Sequence, residues 1–270
     1  MDTARPGHYA ALMDWAVADM AERLSLVERR FDVALAAFGR TPALADAMMT
    51  TGRVGRVERL EEEGGWTGAP PERTAARLDA LSLQPGTFDA VCAPLSLHHA
   101  DDLPGALAQL SAALRPDGLL LASLPGPDTF RELREVLLVA ESEVRGGAAR
   151  RTDLFTDLQS AGRLLQRAGL ALPVADRDHV TLRYRDPDDL VADLRGMAAA
   201  GPADAPLDRA VWARAKDIYR ERFADPDGRL RATFELISMQ GWKPHGSQQK
   251  PLQPGSAKTS LIDALKPEAD

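Results

Sequence analysis

Phe88-Asp-Ala-Val-Cys-Ala93 is followed by Pro94-Leu-Ser-Leu-His98-His-Ala-Asp-Asp102, then by Leu103-Pro-Gly-Ala-Leu-Ala-Gln-Leu-Ser-Ala-Ala-Leu114. Pro116-Asp117-Gly118 and the apolar run Leu119-Leu-Leu-Ala-Ser-Leu124 complete the stretch. The two apolar runs have strand length and are bounded by turn-forming residues, Pro85-Gly86 on one side and Pro116-Asp117-Gly118 in the middle. Between them Leu103–Leu114 has helical spacing. A strand, a helix and a second strand in this order are the unit of a parallel sheet.

The same alternation extends in both directions. Upstream, Tyr9 to Arg30 repeats Leu12, Trp15, Ala16, Met20, Leu24 and Val27 at helical intervals, and Phe31–Phe38 reads as a buried strand ending at Gly39. Thr41 to Met49 is helical, with Pro42 in the first turn. Arg53–Leu60 gives a second strand, Glu61 to Glu72 an acidic then Gly- and Pro-rich loop, and Leu78–Leu81 a short third strand. Downstream, Asp128 is placed to cap a helix from Thr129 to about Arg145. A helix over Asp157–Ala168 stops at Gly169, and Val174–Tyr184 is extended. Asp188–Ala200 and Asp208–Phe223 are helical, Ala232–Trp242 is a last strand, and the tail from Pro244 is polar. Trp212, Tyr219 and Phe223 fall at helical spacing and belong to a core rather than an aromatic substrate box. The expectation is a single α/β domain over residues 1–270, with helices on both faces of a largely parallel sheet. Ligands in such sheets bind beyond the carboxyl ends of the strands, after Phe38, Leu81, Ala93 and Leu124.

Composition narrows the field. The chain has 270 residues, 44% of them hydrophobic and 27% charged, which suits a globular protein with a core of its own. A formal net charge of −7 speaks against a broad basic surface for nucleic acid or an anionic membrane. The single cysteine, Cys92, forms no internal disulfide and fits a reducing compartment. Met1–His8 lacks a secretory pattern, and apolar runs such as Gly118–Leu124 are too short to span a bilayer. A soluble, cytoplasmic protein is expected. The five histidines and one cysteine show no ligand-spaced cluster, so no metal site is called. Phosphate-loop and nucleophile-elbow motifs are missing as well.

Phe88–Leu107 followed by Leu114-Arg-Pro-Asp-Gly118 resembles the fourth strand, helix and fifth-strand turn of class I S-adenosylmethionine (SAM)-dependent methyltransferases. Leu164-Leu-Gln-Arg-Ala-Gly169, Leu182-Arg-Tyr184, Asp193-Leu-Arg-Gly-Met197, Ala232-Thr-Phe-Glu235 and the ending Gly241–Lys258 resemble one branch of that superfamily. This branch holds bacterial homologues of a mitochondrial complex I assembly factor and is related to the malonyl-acyl-carrier-protein methyltransferase of biotin synthesis. The resemblance runs from about Ala21 to Leu265. It implies a Rossmann-like fold whose seven-stranded, mostly parallel sheet ends in an antiparallel strand, with a helical insertion near residues 186–223 covering the site. It further implies SAM as cofactor, methyl transfer to a small-molecule or protein acceptor, and a respiratory-complex subunit as a possible protein partner. Two other functions stay open: a non-catalytic assembly protein on a methyltransferase scaffold, and a protein-arginine hydroxylase.

On the matching positions, the first-strand turn is Ala36-Ala37-Phe38-Gly39-Arg40-Thr41-Pro42. Only Gly39 remains of the family's glycine run, no acidic residue stands near Ala36, and Phe38 puts a large ring in the turn. Arg40 is a candidate partner for the methionine carboxylate, a simple strand-to-helix turn being the alternative. Glu61, Glu62 and Glu63 lie near the ribose-binding position without a fixed register. Asp79 matches the aspartate that accepts the adenine amino group, with the Ala80 N–H beside the ring and Leu95 against the adenosine. His98 is the candidate base after the fourth strand; His99 and Asp101 suit a helix start. Arg183, Tyr184 and Arg195 lie on the lid side, where arginines either hold an anionic substrate or pair with Asp186–Asp189. Lys243, Lys250 and Lys258 can dock a protein or simply solubilise the tail.

Overall fold

The computed structural model describes residues 8–62, 73–149, 151, 155–197 and 207–249. Seven helices and seven strands are described: α1 His8–Leu26, β1 Phe31–Ala37, α2 Ala43–Thr50, β2 Val54–Glu62, β3 Arg73–Ala76, β4 Phe88–Ala93, α3 Leu103–Ala113, β5 Leu114–Pro125, α4 Arg131–Arg145, α5 Leu158–Arg167, β6 Ala171–Tyr184, α6 Pro187–Gly196, α7 Arg209–Phe223 and β7 Leu230–Trp242. A single 3₁₀ turn, Leu97–His99, links β4 to α3. The strands form one sheet in the order β3-β2-β1-β4-β5-β7-β6. β1 pairs in parallel with β2 and β4, β2 with β3, and β4 with β5. β7 runs antiparallel to both of its neighbours.

Strand burial explains the composition. β4 is buried along its full length because helices cover both faces of the sheet, so its residues need not alternate between apolar and polar. One face carries α1, α2, α4, α6 and α7, packed through Leu12, Met20, Leu44, Val136, Leu190 and Val211. The other carries α3 and α5 through Leu107, Leu110, Ala161 and Leu165. Arg23 clamps α1 to the edge strand β6 with two 2.7 Å bonds to Asp176 and a 2.8 Å bond to Asp19.

Local expectations are corrected at four places. The third strand is Arg73–Ala76, not Leu78–Leu81; residues 77–80 turn instead, with the Ala80 N–H donating to Arg77 O at 3.0 Å and Leu81 N–H to Gln109 Oε1 at 2.9 Å. Glu61 and Glu62 belong to β2 rather than to a loop, and the remainder of that loop, 63–72, lies outside the described residues. Pro116-Asp117-Gly118 forms part of β5, where the pairing with β4 shifts register between Phe88 and Ala90. Asp128 does not cap α4: Phe130, in a left-handed conformation (φ 53°) with its ring buried and its N–H on Thr233 O at 2.6 Å, occupies that position, and its hydrocarbon side chain has no acceptor to offer as a cap. Lys250 and Lys258 lie outside the described residues.

Candidate functional site

The carboxyl ends of β1, β2 and β4 meet at one edge of the sheet. After β1 the chain turns sharply: Phe38 and Arg40 have φ of 57° and 59°, and the Thr41 N–H donates to Gly39 O at 2.6 Å. A left-handed conformation in a non-glycine residue costs about 1 kcal/mol or more. Burial of the Phe38 ring and its N–H bond to Leu60 O at 2.6 Å offset that cost. Gly39 is small for a packing reason, since a Cβ there would stand 3.0 Å from Leu44 Cβ. The Phe38 ring joins the apolar cluster that holds Leu60 and, on either side of Asp79, Leu78 and Leu81.

Glu61 is the acidic residue whose register sequence leaves open. It is 5% exposed, its Oε1 lies 2.6 Å from Arg59 Nη2, and its Oε2 accepts the Arg40 N–H at 3.1 Å. Glu62 points the other way, with Oε2 at 3.7 Å from His99 Nε2. Glu63 lies outside the described residues. Asp79 is exposed, accepts the Asp102 N–H at 3.3 Å, and gives its carbonyl to Gln109 Nε2 at 3.2 Å. The Ala80 N–H is engaged with Arg77 O. Leu95 is fully buried at a positive φ of 38°, with its N–H on Ser123 Oγ at 3.2 Å.

His98 sits in the 3₁₀ turn that follows β4, with Nε2 at 2.8 Å from Met197 O. A carbonyl only accepts, so Nε2 carries the proton, and the buried Nδ1, which has no hydrogen-bond partner among the described residues, holds the lone pair. Burial, then the neighbouring His99, then Arg40 lower the His98 pKa to about 4, so the ring is neutral at ordinary pH. Phe155 packs edge-on against it, ring centroids 6.5 Å apart.

Sequence reasoning expected the 186–223 insertion to cover this mouth but missed the bonds that hold its first helix there. Arg40 Nη1 donates to Gly196 O at 2.9 Å while lying over the Tyr9 ring at 5.2 Å. Arg40 and His98 thus hold two consecutive carbonyls at the end of α6, and α6 bridges β1 and β4. The contact runs through main-chain oxygens, which leave no mark in residue identity. α7 lies elsewhere, against α4, through Arg214–Glu143 (2.5 Å) and Arg222–Glu135 (2.8 Å). Arg183 is taken up by Asp225 (2.8 Å) and Asp227 (2.5 Å). Beside the mouth, a cavity of about 400 Å³ lies between α3 and α5, lined by Leu103, Phe155, Ser160, Arg163, Leu164 and Arg167 among others. Cys92 is buried, which pushes its thiol up to about 12 and leaves it inert.

A methyltransferase-domain profile matches residues 53–122, from β2 through β5. The malonyl-[acyl-carrier protein] O-methyltransferase of Halorhodospira halophila is 31% identical over 210 residues, covering 76% of this chain and 68% of that protein. The chain belongs to the class I SAM-dependent methyltransferase superfamily. Arginine-hydroxylase NDUFAF5, mitochondrial, is 38% identical in Danio rerio (73% of this chain, 62% of that protein) and 38% in Homo sapiens (76% and 60%). The chain therefore spans about three fifths of the length of these relatives. Among solved structures, a Bacillus halodurans protein provisionally designated a methyltransferase superposes with a TM-score of 0.55 at 13% identity, covering 84% of this chain and 99% of its own. The YcgJ protein of Bacillus subtilis gives 0.54 at 15%, covering 86% and 99%. At these identities they establish the fold. Among the described residues no helix is long and apolar enough to cross a membrane.

Proposed function

We propose that the chain is a SAM-dependent methyltransferase, with SAM at the carboxyl ends of β1, β2 and β4. The observation that carries the reading is the meeting of Gly39, Glu61 and His98 at that edge in a chain of this superfamily. Glu61 is the group for the ribose hydroxyls. Asp79 and Ala80 face the adenine, Leu95 packs beneath the adenosine, and Gly39 turns the chain at the methionine end. His98 is the base, acting through Nδ1 on an acceptor that must lose a proton. SAM supplies the methyl group; the chain positions an acceptor in line with it and excludes water under α6, which serves as lid within a single domain over residues 1–270. The acceptor is a small molecule or a protein, and the location is cytoplasmic. Calorimetric titration of the purified protein with SAM and S-adenosylhomocysteine tests this. Binding of both, weakened about tenfold by Asp79→Ala through loss of one charged hydrogen bond, is expected. A folded protein that binds neither would discard it.

A second reading directs the chain toward a protein partner, as a respiratory-complex assembly protein or an arginine hydroxylase. The Phe38 ring packed with Leu78 and Leu81 favours it by filling space beside Asp79, and so do the 38% identical relatives that carry the hydroxylase name. Phe38→Ala separates the two readings. Cofactor binding that appears only in that variant supports the second.

A further inference from the structure

Beyond the SAM edge, a second group of side chains converges from three segments distant in sequence. Antiparallel pairing sets His179 of β6 opposite Glu235 of β7, which puts both side chains on one face. Asp128, in the loop after β5, joins them: its N–H donates to Glu235 Oε2 at 2.7 Å. Gly126 makes the approach possible, because a Cβ there would lie 2.5 Å from Glu235 Cδ. One atom from each of Asp128, His179 and Glu235 lies within 4.8 Å of the others.

We propose that Asp128, His179 and Glu235 bind a divalent cation. Glu235 is 1% exposed, yet its Oε1 accepts no hydrogen bond among the described residues. Its nearest basic side-chain atoms are His179 Nε2 and Arg177 Nη1, both at 3.7 Å. His179 Nε2 stands 3.4 Å from Asp128 Oδ2. Ion-paired hydrogen bonds draw such atoms to about 2.8 Å, whereas two ligands each about 2.1 Å from one tetrahedral ion lie roughly 3.4 Å apart. The spacing therefore suits a shared ion better than direct pairing. Arg177 and Arg131, the latter 3.6 Å from Asp128 Oδ2, partly neutralise the carboxylates, and Arg177 is the direct competitor for Glu235 Oε1. Its side chain is 56% exposed, so it swings away at little cost when an ion enters. One imidazole and two carboxylates favour Zn²⁺, Mn²⁺ or Fe²⁺ over Ca²⁺ and Mg²⁺, and three protein ligands leave coordination positions open to water. An ion here ties the loop after β5 to the β6–β7 pair.

The test is calorimetric titration of chelator-treated full-length protein with Zn²⁺ and, separately, Mn²⁺. One ion per chain is expected. His179→Ala, at a solvent-exposed position that leaves the fold intact, should weaken binding at least about tenfold, and Arg177→Gln should tighten it severalfold. Lack of one-to-one binding up to about 1 mM, or wild-type affinity in the His179→Ala variant, overturns the proposal. So does an Arg177→Gln variant that binds no more tightly than wild type.

Discussion

The β1/β4 mouth and the β5/β7 edge are both built at the carboxyl end of the same sheet, yet they treat polar groups in opposite ways. At the mouth, Arg40 and His98 each meet a main-chain carbonyl of α6 at 2.9 and 2.8 Å. At the edge, His179 and Arg177 approach Glu235 only to 3.7 Å, although that carboxylate is almost wholly buried. A satisfied set of bonds closes a surface, while a loose set of opposite charges leaves room for another group. Hydrogen-bond length, more than burial, distinguishes the two.

The largest expected effect sharpens the mouth side. His98 has a folded pKa lowered from 6.5 to about 4, so the unfolded chain takes up its proton first as pH falls. Its contribution to stability is complete above pH 6.5, is lost as pH drops from 6.5 towards 4, and amounts to about 3 kcal/mol. Urea unfolding of wild type and His98→Asn at pH 7 and pH 4.5 should show the wild type losing about 2.5 kcal/mol more, most of that contribution. Parallel pH profiles would mean the imidazole is not held neutral. On the edge side, Gly126→Ala drives a methyl into the Glu235 carboxylate and should cost about 2–3 kcal/mol, as overpacking does. An unfolding midpoint equal to wild type would show that Glu235 can move aside and that the edge is looser than its burial suggests. Smaller is Arg40→Ala, expected to cost about 1 kcal/mol in global stability while raising amide exchange in residues 187–197. Unchanged exchange there would mean that α6 does not depend on this bond. Smallest is Arg183→Ala at the far end of β6, whose exposed pairs with Asp225 and Asp227 are screened by solvent, so its urea midpoint should match that of wild type. A lower midpoint would contradict the contrast between surface pairs and the bonds at the mouth.

Much of the scaffold can be read from residue order. β4 and α3 fall within a residue of their expected bounds because a fully apolar run and a helical period are local signals. The third strand is misplaced because Arg73–Ala76 is four residues long and carries no apolar pattern, whereas Leu78 and Leu81 are apolar but serve a turn. Asp128 looks like a cap because aspartate before a helix usually is one; a contact with Glu235 overrides that preference. At the site, His98 and Gly39 are visible from their places after strands. Glu61 emerges only once strand register turns it towards Arg40, and Glu62 away.

The sequence by itself determined the alternation of strands and helices, the superfamily, and the segments that end at the binding edge, since periodicity, turn residues and motif spacing act over a few residues. Only the tertiary structure decided which carboxylate faces inward, that the end of α6 rests on Arg40 and His98, and that Asp128, His179 and Glu235 meet. These depend on strand register, on main-chain carbonyls and on contacts between segments far apart in the chain, and no local pattern of side chains encodes them.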